Sequence, residues 1–181
     1  MRAVLCGGGT GRWRRSVTPR ATVSLLWSLV VAYTALSTTV LVLSGWLTGA
    51  ESASWALLQP VVARLDATPQ IRMQQGLLRT FGRVMPILLP LTSALIVATV
   101  FVAPAGVPRT LWVVAAVDAV VLIAFTLLVN VPINNRTLSW DAERPPENWR
   151  VDRHRWHTYQ GVRACLLAVW FLCAVSAVAL F

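Results

Sequence analysis

The chain has no lysine. It has only seven acidic residues and two histidines among its 181 residues, and charged side chains make up 13% of the whole. An ordinary soluble domain carries about 25% charged residues, so water is a poor candidate for the main solvent. The three cysteines, Cys6, Cys165 and Cys173, form no CxxC and no Cys/His pair at zinc spacing. Cys165 and Cys173 lie two helical turns apart in one apolar run and cannot bridge within a helix. His154 and His157 are three apart on a helix, yet no third ligand of fitting spacing stands near them, so no metal site is assigned. Cofactor content is left open. Internal repeats and low-complexity tracts are also missing.

What the chain does have is apolar length. The hydrophobic share is 56%, against about 45–50% for a soluble protein. Four runs are long enough to cross about 30 Å of hydrocarbon: residues 22–43, 84–102, 111–131 and 161–181. The first run is too long for a signal peptide and lacks a small-residue cleavage site. The fold class is therefore all-α, an integral membrane four-helix bundle over residues 21–181, preceded by a disordered basic tail at 1–20. Its solvent partner is the lipid bilayer, in the cytoplasmic membrane of a bacterium. Ser37, Thr38 and Thr39 in the first span and the Gly106 loop permit close packing, including packing between copies of the chain.

The net charge of +9 comes from arginines that flank apolar spans, where headgroups take them. No nucleic-acid motif accompanies them. Five arginines precede the first span, which favours a cytoplasmic N-terminus. The two longer loops and their helix entries hold ten more, which argues the other way.

Between the first two runs the sequence is mixed. Trp46, Trp55 and the Gln59–Pro60 step suggest an interfacial belt. Residues 70–83 read as a helix with Arg72, Gln75, Arg79 and Arg83 on one face, which either lies on headgroups or lines a pocket. Pro86 and Pro90 fall in the first turns of the second run. Asp118 is the one acid inside the four runs; it needs a proton or a partner, with Arg109, Arg79 and Arg83 as candidates.

The informative stretch is 130–163, NVPINNRTLSWDAERPPENWRVDRHRWHTYQGVR. Pro132 disfavours helix at Val131, so the chain is expected to leave the helix there. Asn130, Asn134 and Asn135 then either cap the broken end or hold a ligand. In the last helix Trp149, Arg153, Trp156, Gln160 and Arg163 recur at spacings of four and three. At about 100° per residue they share one face to within about 40°. Ionisable groups at membrane depth face a bundle interior or a wet cavity and by default mark a function. A Trp/Arg anchor at the headgroups is the plainer alternative.

NVPINN followed by a Trp, then PPENW, then RW, then an Arg at the mouth of a final span resembles the anthrone oxygenase-like family of small four-helix membrane proteins, long carried as a domain of unknown function. The likeness is best over residues 126–170. It places Asn130, Pro132, Asn134, Trp140, Trp149, Arg155, Trp156 and Arg163 at motif positions. It implies a membrane enzyme of natural-product biosynthesis: fungal members oxidise anthrones to anthraquinones with molecular oxygen. Family members often carry His or Asn where this chain has Gln160, and Gln can hold a carbonyl or phenol but cannot take up a proton. Under the resemblance, Arg163, Gln160 and Asn130 are the candidate catalytic residues. Asn134, Trp140, Trp149, Arg153, Arg155, Trp156 and Asp118 are candidates for holding a small hydrophobic aromatic substrate. A non-catalytic binder, carrier or assembly factor is the competing function, and a proton or ion channel a third.

Overall fold

A computed structural model of the chain describes residues 19–181. Cys6 and nearly all of the basic tail lie outside them. The described residues are helical throughout apart from short connections. The elements are α1 (Pro19–Ala53), a π-helical turn (Ser54–Leu58), α2 (Gln59–Val62), α3 (Ala67–Val102), α4 (Val107–Phe125), a second π turn (Thr126–Asn130), α5 (Val131–Leu138) and α6 (Trp149–Ala179). They form four rods, each long and apolar enough to cross a membrane: Thr22–Val62, Ala67–Val102, Val107–Leu138 and Trp149–Ala179. The rods run up and down in order, so the short connections at 63–66 and 139–148 share one end of the bundle.

The rods exceed the spans read from hydropathy. The 36 residues of α3 rise about 54 Å, whereas the hydrocarbon needs only about 30 Å. The charge-free stretch 84–102 is long enough to fill the hydrocarbon, and the Arg/Gln segment 70–83 belongs to the same helix. Pro86 and Pro90 therefore lie inside α3 and not in its first turns. The first rod likewise runs on through the mixed region, and Trp55 packs against α6 at Gly161.

Helix also continues across Val131, contrary to the break expected before Pro132. The cause is the π turn. The Val131 amide donates to Thr126 O, five residues back, so the backbone is widened where a proline ring would otherwise press on the carbonyl four residues before it. The first π turn repeats the device: the Gln59 amide donates to Ser54 O and Pro60 follows.

The end of the bundle away from the two connections is solid. Trp112, Trp170, Ala115, Ala174 and Ala177 are completely buried with Tyr33 beside them. Trp112 Nε1 donates to Tyr33 Oη at 3.3 Å, and Tyr33 Oη donates to the Ala177 carbonyl at 3.2 Å. Alanines at 115, 119, 174 and 177 let α4 and α6 approach closely, which in lipid is what holds helices together. At the far side of this end, Arg109 closes the Gly106 turn by donating to Ala103 O, at 3.0 Å from its Nε. It is thus not the partner of Asp118. Arg79 and Arg83 are exposed, and the ion pairs among the described residues are Arg72–Glu143, Arg136–Asp152 and Arg163–Glu51. Asp118 is half-buried with Oδ2 unpaired.

Candidate functional site

Toward the end that carries the two connections the bundle is hollow. A cavity of about 270 Å³ opens between the four rods. Its deep floor is apolar, made by Leu47, Met85, Leu89, Ile123 and Leu167. Both π turns border it through Ser54, Thr126 and Leu127. Such turns are rare and often stand at functional sites, because they aim side chains that a regular helix would rotate away.

The five-residue stripe on α6 faces inward as a unit. Trp149, Arg153, Trp156, Gln160 and Arg163 are all buried. Three of them, Trp156, Gln160 and Arg163, line the cavity. Their partner is Glu51, buried on α1 at 1% exposure. One carboxylate oxygen of Glu51 accepts from Arg163 Nη2 and the other from Gln160 Nε2. Arg163 Nε stays buried and without a protein partner. The wall thus carries a carboxylate, an amide and a guanidinium held in one cluster, and one N–H donor is still free.

Hydropathy ends the first span at residue 43 and leaves Asp118 as the one acid inside a span, with no place there for Glu51. The structure corrects that: α1 runs past Glu51, and the acid is inside the bundle. A single acid eight residues beyond an apolar run has no periodicity to mark it.

The remaining candidates do not stay together. Asn134 lines the cavity and accepts from Trp156 Nε1 at 2.7 Å, which fixes that indole against the opening. Arg153 does not line it; its guanidinium stacks on the Trp156 ring at 4.3 Å and reaches Gln59 Oε1 through a long contact of 3.5 Å. Asn130 is completely buried at the end of the second π turn with both amide atoms unpaired, outside the cavity lining. Trp140 and Trp149 form a separate small core with Ile71 that pins the 139–148 connection. Arg155 is exposed, and Asp118 sits half-buried on α4, outside the cavity lining. His154 is exposed, and His157 packs its ring on Trp55 at 5.9 Å.

The Arg/Gln face of α3 also divides. Arg72, Arg79 and Arg83 are exposed. Gln75 is buried and donates to the carbonyls of Thr137 and Trp140, at 3.1 and 3.0 Å, tying α3 to the end of α5. It is Gln74, off that face, that lines the cavity.

The family model described as anthrone oxygenase matches residues 77–173. Comparison with curated proteins and with solved structures finds no match. The matched segment contributes Asn134, Trp156, Gln160 and Arg163 to the cavity wall, while Glu51 and Gln74 stand outside it. It takes in more than half of the chain, including three of the four membrane-crossing rods in whole or in large part, and on that evidence the chain belongs to the anthrone oxygenase family.

Proposed function

We propose that the protein is a membrane-embedded oxygenase that oxidises a small, flat, hydrophobic aromatic of the anthrone type with molecular oxygen, inside the cavity between its four rods. The observation that carries this is the buried Glu51–Gln160–Arg163 cluster on the wall of a cavity whose floor is apolar. At about 270 Å³ the cavity lies near the lower end, about 300 Å³, of small-molecule sites. That suits a ligand of a few fused rings. The Trp156 indole gives such a ring a flat face to lie against.

The chemistry closes without an added reductant. An anthrone methylene and one O₂ give a quinone carbonyl and one water. Glu51 is the carboxylate at the wall and takes the first C–H proton, the role that Gln160 is unable to fill. The electron pair left on carbon spreads across the central ring into the carbonyl opposite, and the free Nε–H of Arg163 holds the peroxide anion that O₂ addition at that carbon creates. A donor already fixed in a dry site stabilises developing charge without reorganising. The carbanion adds O₂ through carbon and takes a proton to give a hydroperoxide. Loss of the second C–H proton with hydroxide then forms the carbonyl and water. Gln160 orients the carboxylate through its Nε2 hydrogen bond.

The test is oxygen uptake by the protein purified in detergent, with anthrones as substrates and anthraquinone followed by absorbance. One O₂ consumed per quinone formed is the expected stoichiometry. Tight binding of the anthrone with no uptake points instead to a binder or carrier, and overturns the proposal.

A further inference from the structure

One cavity-lining side chain has no part in that chemistry. Gln74 is 1% exposed, and neither its Oε1 nor its Nε2 has a hydrogen-bond partner in the protein. Buried amides are normally paired, because an unpaired one forfeits the water it has left. The next residue shows the usual outcome: Gln75 spends its amide on two backbone carbonyls. Further along the same helix the cavity is lined by Leu77, Leu78, Met85 and Leu89, so an apolar side chain is at home on this wall. An orphan amide there stands ready for a partner that arrives with the ligand.

The placement is as informative as the lack of partners. Gln75 binds the carbonyls at 137 and 140, which sets this turn of α3 level with the end of α5. Asn134, one turn further in, bonds Trp156. Arg163 is seven residues beyond Trp156, a rise of about 10 Å. Gln74 and the Glu51–Arg163 pair therefore stand toward opposite ends of the cavity's long dimension. A primary amide offers a donor and an acceptor side by side in one plane. Its complement is a ligand edge with a hydroxyl next to a carbonyl, coplanar with a ring.

We infer that Gln74 is a specificity-determining residue, which selects aromatic substrates carrying a hydroxyl beside a carbonyl at the end remote from Glu51 and Arg163. This rests on the cavity being the substrate site. A site built to hydrogen-bond a hydroxyl discriminates strongly against the analogue that lacks it, because its own buried groups are then left unpaired.

Binding tests this apart from turnover. Quenching of tryptophan fluorescence is titrated with two stable probes, 1,8-dihydroxyanthraquinone and unsubstituted anthraquinone. The wild type is expected to prefer the dihydroxy probe by at least about tenfold, and Gln74→Leu to bind the two alike. Thermal stability in detergent should hold or rise in Gln74→Leu, since an unpaired polar group is replaced by an apolar one of similar size. A wild type without preference, a Gln74→Leu variant that keeps it, or a variant that loses stability each overturns the inference, the last by showing a structural role. A protein that discriminates through Gln74 yet consumes no oxygen leaves the inference standing and sinks the oxygenase reading alone.

Discussion

The two ends of this bundle are built from the same kinds of helix and differ in almost everything else. At the solid end, Trp112, Tyr33 and the Ala177 carbonyl form a short chain of hydrogen bonds, and small residues bring α4 and α6 together. Unpaired buried polar atoms occur at both ends, Trp170 Nε1 at the solid one and Gln74, Asn130 and Arg163 at the hollow one, but among the described residues it is the hollow end that adds two π turns and a cavity. A chain that can pack one end tightly has left the other open. That difference locates function: proteins tolerate orphan polar groups and irregular helix where a ligand completes them.

Breaking each end should therefore fail in a different way. At the hollow end, Arg163→Ala strands the buried Glu51 carboxylate, with an expected loss of about 3–5 kcal/mol of stability, together with loss of quinone formation. At the solid end, Trp112→Ala opens a void of similar energetic weight, about 3–5 kcal/mol. Its detergent melting temperature should fall comparably, while the surviving folded protein still binds the dihydroxy probe with unchanged affinity. Equal loss of binding in both would erase the distinction between the ends.

A smaller effect is expected at the seam. A Cβ at Gly161 would meet the Trp55 ring at 2.9–3.0 Å. Gly161→Ala should then cost about 1–3 kcal/mol by overpacking, read as a lower melting temperature. It should also weaken substrate binding, because Gly161 adjoins Gln160. The smallest effect belongs to Arg72→Ala. Both partners of the Arg72–Glu143 pair are mostly exposed, so its removal should change stability by no more than about 1 kcal/mol and leave turnover as it was.

Much of the bundle was legible in the sequence because lipid imposes long apolar runs with few charges. The inward face of α6 was legible for a related reason: five polar or aromatic residues at spacings of three and four must share a side, and all five are buried. The rest depended on information that periodicity does not carry. Glu51 is a lone acid past the end of a run, and only the partner helix reveals that it faces Arg163 and Gln160. Gln74 was overshadowed by Gln75, which falls in phase with the arginines, though the ladder of contacts to α5 gives Gln75 the structural task. The continuation through Val131 was hidden because a proline signals a break unless the preceding turn widens, and the widening is a tertiary accommodation. Asn130, Trp140, Trp149, Arg155 and Asp118 are alike in motif or residue type, while the bundle distributes them among the second π turn, a small loop core, the surface and the middle of α4.

In the proposed reaction Glu51 takes the substrate proton at the wall of the cavity. The most direct test is oxygen uptake on an anthrone by purified Glu51→Gln, with the wild type alongside and folding checked by thermal melting. Gln keeps the size and one acceptor oxygen but cannot accept the proton, so uptake is expected to fall by about 100-fold or more in a protein that still binds the probe. Uptake at the wild-type rate in a folded Glu51→Gln variant would rule Glu51 out as the base.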